Sequence, residues 1–380
     1  MSRVTRGRPP AHQVGFLCHF LKGGHILSFQ VLRQAEALGA VLRDFPDLRP
    51  FVVGIDAAGN ERLTPPRVFA PAFAHLVDLC DGQRRDPDER PIRLGRTFHV
   101  GEDVWDLATG LRHVDEVRGI LLAGRWGRIG HGLVLAEDPE RFYSTRRNQV
   151  ELPLSIHLLD LVWAWGRACD WLEGRQSEWL AGEIRCVLHG RIPPGMHPEV
   201  EACWDAMRAE LEPGRCEVLE QPRSERELLG LLCQGADTTG LHRVDCESHW
   251  LEVMAGLQRS LRCRLATQGV AIEANPTSNL LVWPGCSDYP DLRYDTLIAD
   301  NLAVSLNTDD PGLFLTTLPD EFDRMYEARA TRRDPDVVIL RWLEERARDA
   351  ARTTFLHGGV PAGERALRLV RRKGGSFMTL

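Results

Sequence analysis

Short apolar runs rich in β-branched residues alternate along the chain with longer stretches whose apolar residues recur every three or four positions. This alternation is typical of successive β-α units that build a parallel sheet. Six of the apolar runs predict strands over 14–20, 51–55, 97–100, 128–131, 270–274 and 303–306. The longer stretches predict helices over 31–42, 68–79, 104–122, 320–330 and 335–355.

A long interval separates the fourth predicted strand from the fifth. Roughly 140 positions lie between them, whereas a loop in an α/β unit usually has about 2–6 residues. Helical patterns such as that over 154–172, and six of the ten tryptophans, predict a helical insertion with a small core of its own. The predicted parts are the first four or so β-α units of a barrel over 1–132, the insertion over 133–268, and the last strands with the C-terminal helices over 269–380.

Composition narrows the class of protein. Apolar residues make up 43% and charged residues 27% of the 380 positions, which is typical of a globular protein and excludes disordered, collagen-like and coiled-coil chains. No apolar run reaches the roughly 20 residues of a membrane helix. The first ten residues, MSRVTRGRPP, lack the apolar core of a signal peptide. We therefore expect a cytoplasmic protein with no membrane partner.

Charge and cysteine usage exclude two further classes. The 47 basic and 54 acidic residues give a net charge of −7, so the chain has no electrostatic basis for binding bulk nucleic acid. The ten cysteines form no CxxC pair, which favours reduced, mostly buried thiols over a disulfide framework or a cysteine metal site.

Four polar motifs lie at or just after the carboxyl ends of predicted strands. They are DAAGNE (56–61), HVGED (99–103), RIGHG (128–132) and SLNTDDPG (305–312). Active sites of α/β barrels are assembled at this end of the strands. We therefore expect the four motifs to meet in one site.

The residue types in these motifs suit metal-assisted hydrolysis. His99 and Asp309 supply the imidazole and carboxylate that Zn²⁺ binds in a tetrahedral site with one position open for water. Glu102 follows His99 by three residues, and burial beside a metal would tune its carboxyl group for proton transfer. His131 offers a second imidazole that can orient or deprotonate a metal-bound water, whose pKa the metal lowers toward about 7.

Two further residues suit substrate binding. Asp310, next to the metal-ligating position, would be free to accept a hydrogen bond from the substrate. Gly59 has no side chain, so a flat ring could approach the backbone there.

Together, HVGE, RIGHG, IEANPTSN (272–279) and SLNTDDP resemble the adenosine deaminase family of the amidohydrolase superfamily, with DAAGNE as a weaker fifth element. The likeness covers roughly 14–131 and 270–330. It implies an α/β fold of the (β/α)₈ TIM-barrel type and hydrolytic deamination of adenosine, or a related adenine compound, to inosine and ammonia.

The same resemblance implies roles for six residues. It makes His99 and Asp309 zinc ligands, Glu102 the proton donor to the purine ring, and His131 the residue that assists the attacking hydroxide. It also makes Gly59 and Asp310 the residues that hold the purine nucleoside, the implied small-molecule partner.

The chain departs from the family at its first strand. The family carries two zinc ligands there as an HxH pair, and no HxH occurs in this sequence. Only six strands are predicted where the barrel needs eight, and VGFLCHF aligns best with the family's third strand. His12 and His19 are the nearest replacements, but they are seven residues apart and on the wrong strand. We therefore expect a partial barrel, an incomplete zinc site, and much less than one zinc per purified chain.

An open barrel exposes strand edges, which favours association. We therefore expect that the chain is the C-terminal part of a larger product, that an oligomer or a complementing chain completes it, or that the insertion covers the edge. A different class of function stays open, namely a catalytically inactive deaminase-like protein that binds nucleosides or acts as an assembly subunit. A third alternative is another metal hydrolase on the same barrel, although it leaves RIGHG unexplained.

Overall fold

A computed structural model describes residues 14–24, 26–82, 94–172, 176–212, 222–283 and 286–357. The described strands are β1 Phe16–Lys22, β2 Val52–Gly59, β3 Gly95–Val100, β4 Arg128–His131, β5 Gln149–Pro153, β6 Leu241–Asp245, β7 Ala271–Ala274 and β8 Ala303–Leu306. Six of them form one parallel sheet in the order β1-β2-β3-β4-β7-β8, and β5 pairs with β6 in a separate antiparallel ribbon.

Helices alternate with the parallel strands and fill the insertion. In the first half of the chain they are α1 Ser28–Asp44, α2 Ala70–Gly82, α3 Leu107–Glu116, α4 Pro139–Ser144, α5 Leu154–Trp171, α6 Gln176–Leu188 and α7 Val200–Leu211. In the second half they are α8 Glu225–Cys233, α9 Ser248–Gln268, α10 Pro276–Val282, α11 Tyr294–Ala299, α12 Pro311–Phe314, α13 Leu318–Thr331 and α14 Asp336–Thr353.

All six predicted strands are confirmed, with small shifts in their bounds. The largest shift is in β2, which was predicted to end at Ile55 but continues to Gly59. The apolar run FVVGI ends at Ile55, yet pairing with β1 continues through Lys22 opposite Gly59. Backbone pairing therefore carries the first four residues of DAAGNE into the sheet.

Helix α3 lies at the centre of the molecule. Every one of its ten residues is buried, including four charged or titratable side chains, Arg112, His113, Asp115 and Glu116. It packs against β3 on one side and against α5 and α9 of the insertion on the other. A helix covered on all sides must satisfy its charged groups internally, which α3 does through ion pairs to neighbouring elements.

The insertion is helical, as predicted, but two features differ from the expectation. It contains the β5–β6 ribbon, whose strands are far apart in sequence and so carry no hairpin signal. The separate small core is not found, because the described apolar side chains form one continuous cluster that includes Trp163 of α5 and Phe98 of β3. The predicted bounds of the three parts stay a prediction.

Closure of the sheet into a barrel is not shown. Among the described residues β1 and β8 are the two edge strands, each paired on one side only. The β1 edge carries apolar side chains that face solvent, Phe16 and Leu21, whereas Val304 and Leu306 of β8 are buried. In the same part of the chain, no helix is both long and apolar enough to span a membrane.

Candidate metal site at the carboxyl ends of the strands

Three side chains from distant parts of the sequence meet beyond the carboxyl ends of the strands. His99 is the second-last residue of β3, His131 is the last residue of β4, and Asp309 follows β8. Each offers one ligand atom, and these atoms lie within 4.8 Å of one another. Two imidazole nitrogens and a carboxylate oxygen are a donor set that suits zinc and other divalent transition metals. The three residues could therefore hold a metal ion.

The loop after β8 and the side chains together bring the three donors close. Three strand spacings separate β3 from β8, which is about 14 Å in a flat sheet. Asp309 lies beyond Leu306, the last residue of β8, and His99 Nε2 lies 3.9 Å from Asp309 Oδ1. The His99 and His131 rings, on neighbouring strands, have centroids 5.0 Å apart.

Backbone strain accompanies two of the three donors. His131 has φ 63° and Asp309 has φ 59°, in the left-handed region that residues with a side chain seldom adopt. Such strain clusters at functional sites, where the surrounding structure holds it in place. Gly130 contributes to the placement of His99, since a Cβ at position 130 would lie 2.9 Å from the imidazole ring.

Asp56 of β2 fixes the orientation of His99. Its Oδ2 lies 2.8 Å from His99 Nδ1, which leaves His99 Nε2 facing Asp309. Burial by itself would raise the pKa of Asp56, but the charges of His99, His19 and Lys22 lower it. Such a carboxylate behind a metal-ligating histidine fixes its tautomer and raises its basicity.

The surroundings of His99 favour its protonated form. Burial opposes its charge, but Asp56, Asp309 and Glu102 hold the pKa of His99 well above its usual range. A metal ion at Nε2 would have to displace that proton, because only the neutral imidazole ligates. Metal binding at this site is therefore expected to weaken as the pH falls.

Glu102 and His131 form a pair that can exchange a proton. Glu102 Oε2 lies 3.0 Å from His131 Nε2, while His131 Nδ1 lies 2.5 Å from Asn279 Oδ1. Asn279 in turn donates from Nδ2 to Tyr294 Oη at 2.8 Å. Burial would raise the pKa of Glu102, but His131, His99 and Lys22 lower it. Glu102 is therefore a carboxylate here and must be loaded with a proton before it can donate one.

Glu61, the last residue of DAAGNE, holds the turn that carries Glu102. Glu61 is fully buried, accepts a hydrogen bond from the Gly101 backbone N–H at 2.7 Å, and lies 2.8 Å from His113 Nδ1 of α3. This contact connects DAAGNE with HVGED and holds the Gly101–Glu102 turn in place.

Asp309 is held by the segment IEANPTSN. Ser278 Oγ donates to Asp309 Oδ2 at 2.6 Å, and Asn275 Nδ2 lies 3.4 Å from His131 Nε2. Burial opposes the charge of Asp309, but hydrogen bonding to His99, the charge of His131 and the bond from Ser278 lower its pKa to about 2. Asp309 is therefore ionised at any pH at which a metal could bind.

The two residues expected to bind substrate lie at the rim. Gly59 is exposed at the end of β2 with φ 114°, and a Cβ there would lie 2.8 Å from the Lys22 carbonyl oxygen. Asp310 is exposed, and its Oδ1 accepts hydrogen bonds from the Gly312 and Leu313 backbone at the start of α12. These contacts account for both residue types locally, and their substrate roles stay predictions.

Of the two histidines considered as replacement ligands, one lies beside the site. His19 Nδ1 is 3.1 Å from Asp56 Oδ2, its ring centroid is 6.0 Å from that of His99, and its side chain is 49% exposed. It is not one of the three clustered donors. His12 lies outside the described residues.

The sequence predicted the central residues of this site but not the residues that support them. His99, Glu102, His131 and Asp309 meet as expected, and we call these four residues the strand-end site. The supporting contacts of Asp56, Glu61, Ser278, Asn279 and Lys22, whose Nζ donates to the His99 carbonyl, were not predicted. A signal existed for the first four, since each lies in a motif that had been singled out without a role for that residue.

Known proteins add no assignment to this geometry. No protein-family model matches the chain, and a search of curated proteins finds no match. The strand-end site and the motifs that build it are therefore the features that bear on function.

Proposed function

We propose that this chain is the metal-binding part of a purine nucleoside deaminase that converts adenosine, or a related adenine compound, and water to inosine and ammonia. The observation that carries the proposal is the convergence of His99, His131 and Asp309, with Glu102 3.0 Å from His131, beyond the strand ends. The residue types fit Zn²⁺, which takes three protein ligands in catalytic sites. When bound, the metal would activate a water molecule toward the ring carbon that bears the amino group.

The proton path follows from the contacts of the chain's own residues. When further donors hold the metal, His131 Nε2 is free to accept a proton from the attacking water and to pass it across the 3.0 Å contact to Glu102. Glu102 then protonates the ring nitrogen beside the reacting carbon, so that the ring C=N bond becomes a single bond as the C–O bond forms. The remaining proton of the new hydroxyl group then moves to the amino group, so that the C–N bond breaks as the C=O bond forms and ammonia leaves.

The supporting residues keep the groups of this proton path in position. Asp56 keeps His99 Nε2 facing Asp309, and Ser278 fixes the Asp309 carboxylate. Glu61 fixes the turn that carries Glu102. Since general acid–base catalysis needs the proton-transfer groups within hydrogen-bond reach, these buried contacts support a catalytic use of the site.

We further propose that another segment completes the site. The described donors number three, and one of them, His131, is also needed for proton transfer. β1 and β8 are unpaired on their outer sides in the described sheet, and β1 carries exposed apolar side chains. A complementing chain, or a further segment with an HxH pair, would supply two more imidazoles and cover the exposed edge.

The test is an assay of adenosine conversion to inosine. The chain is assayed with Zn²⁺ alone and after addition or fusion of a segment that carries an HxH pair. In the active form, Glu102→Gln keeps size and hydrogen bonding but cannot deliver a proton. We expect a loss of about 10²–10⁴-fold in turnover with nucleoside binding largely kept.

The matched control is Glu252→Gln, an exposed carboxylate on α9, which should turn over like the unchanged chain. A Glu102→Gln rate within a few-fold of the control would mean that Glu102 is not the proton donor. Nucleoside binding without turnover in every arm would favour the alternative function, a deaminase-like binding or assembly protein.

A further inference from the structure

A cavity of about 350 Å³ lies within the insertion, away from the strand-end site. Its lining combines four arginines with Trp171 and two carboxylates, the arginines being Arg118, Arg167, Arg208 and Arg264. They come from the π-helical turn Val117–Leu121 that follows α3, and from α5, α7 and α9. Arg96 Nη1, near the start of β3, donates a hydrogen bond to the Leu121 carbonyl of that turn at 3.2 Å. The cavity therefore lies toward the amino ends of the strands, opposite the metal donors.

Three carboxylates around this cavity are shared among three of the arginines. Asp115, fully buried behind the wall, lies 2.7 Å from Arg118 and 2.8 Å from Arg167. Glu212 lies 3.1 Å from Arg167 and 3.3 Å from Arg208. The third, Asp170, lies 3.5 Å from each of the same two arginines.

The fourth arginine leaves the cavity with an excess of positive charge. Arg264 has no carboxylate within ion-pair distance in the described part of the chain, and its guanidinium lies 4.5 Å from the Trp171 ring, which Arg167 also covers at 4.5 Å. Burial and the like charges of Arg118 and Arg167 lower the pKa of Arg264, as expected where guanidinium groups are crowded.

One buried donor at the cavity wall also lacks an acceptor. The side chain of Arg167 is 1% exposed, and its Nη2 has no hydrogen-bond partner among the described residues. This donor is itself shielded from the open space of the cavity, so Arg264 is the guanidinium that an anion would reach. An anion held beside Arg264 would reduce the repulsion among the crowded guanidinium groups.

We propose that this arginine cavity binds a phosphate-type anion, either free phosphate or the phosphate group of a larger ester such as a nucleotide. Guanidinium groups match the geometry of phosphate oxygens through paired N–H donors. The volume lies at the lower end of the roughly 300–1,000 Å³ usual for small-molecule sites, so phosphate with part of an attached group would fit. The inference does not depend on the deaminase proposal, because it uses none of the residues of the strand-end site.

The experiment is calorimetric titration of the full chain in metal-depleted buffer at fixed ionic strength. Inorganic phosphate, AMP and adenosine are titrated separately, with chloride as the reference anion. We expect phosphate to bind where chloride does not. AMP binding about as tightly as phosphate identifies the anion alone as the ligand, whereas AMP binding at least ten-fold tighter identifies a phosphate ester.

Arg264→Gln should weaken phosphate binding about 10-fold or more, since it removes a charge-assisted contact. Its control is Arg259→Gln, which changes an exposed arginine of the same helix and should bind as the unchanged chain does. Arg264 is exposed and unpaired, so the variant should fold normally, which urea unfolding checks. Phosphate that binds no better than chloride, or an Arg264→Gln variant that binds like Arg259→Gln, would overturn the proposal.

Discussion

Two clusters of buried charged side chains in the described part of the chain differ in the groups that balance their carboxylates. In the helical layer, an arginine network of Arg67, Arg112, Glu116 and Asp160 joins α3 to the insertion. Arg112 lies 2.7 Å from Asp160 and 2.9 Å from Glu116, and Arg67 lies 3.0 Å from Glu116, with all four side chains at most 3% exposed. The strand-end site instead balances its carboxylates with imidazoles.

This difference in cation decides what each cluster can do. Arginine stays protonated at every accessible pH, so its ion pairs have one state and serve to satisfy buried charge. Histidine exchanges its proton near neutral pH and binds metals when neutral. Burial of charge therefore gives a fixed internal bond in the helices and an exchangeable, metal-competent cluster at the strand ends.

The largest effect is expected from Arg112→Met, which removes the shared cation of the arginine network. Asp160 and Glu116 then remain buried with their charge only partly balanced, so we expect a loss of about 3–5 kcal/mol in the free energy of unfolding. Urea unfolding measures it. The control is Arg341→Met on α14, whose side chain is 80% exposed beside Glu345, and which should change stability by less than about 1 kcal/mol. Equal effects in the two variants would remove the distinction between the clusters.

A smaller effect is expected from Asp56→Asn, which acts on the imidazole side of the comparison. The amide keeps the size of the side chain but cannot offer His99 Nδ1 a charged acceptor. Loss of such a supporting contact usually weakens metal binding by about 10–100-fold. A metal titration checks this, with Asp47→Asn, an exposed carboxylate, as the control. Unchanged affinity in Asp56→Asn would mean that Asp56 does not orient a metal ligand.

The smallest effect concerns Asp106, a buried carboxyl that accepts a 2.7 Å hydrogen bond from the neutral Tyr143 hydroxyl. Burial raises its pKa from 3.8 to about 7 despite that bond. Since the folded pKa is above the unfolded one, the folded state holds the proton more tightly, and stability is lost as the pH rises through about 7.

Relative to Asp106→Asn, which cannot ionise, the unchanged chain should lose about 1.4 kcal/mol between about pH 6 and about pH 8. Unfolding of both proteins in urea at the two pH values gives this difference directly. A difference that does not vary with pH would show that Asp106 is ionised throughout, with its charge balanced as in the arginine network.

Local pattern was sufficient for the parallel strands and for the centre of the strand-end site. The apolar runs mark each strand within a few residues, and parallel strands bring their carboxyl ends to one edge. His99, His131 and Asp309 could therefore be placed together from their positions after strands, although they are far apart along the chain.

Contacts that depend on three-dimensional packing could not be predicted in the same way. Pairing of β5 with β6 joins segments that are about 90 residues apart without a turn between them. The sequence pattern does not show that the insertion covers the charged residues of α3, where Arg112 is fully buried. Asp56 lies in β2 with its carboxylate 2.8 Å from His99 of the neighbouring strand β3, a contact that depends on the register of the two strands and on the side-chain rotamers.

The central claim is that His99, His131 and Asp309 bind one divalent metal ion, and titration with Co²⁺ tests it most directly. Because only three donors are described and Glu102 contacts one of them, we expect binding weak enough for dialysis to remove the metal, so uptake is followed during titration. The account predicts visible d–d absorption that saturates at one Co²⁺ per chain. These bands should be lost in His99→Ala, His131→Ala and Asp309→Ala and retained in His189→Ala, an exposed histidine of the insertion. Bands that are absent from the unchanged chain, or that survive in all three site variants, would contradict it.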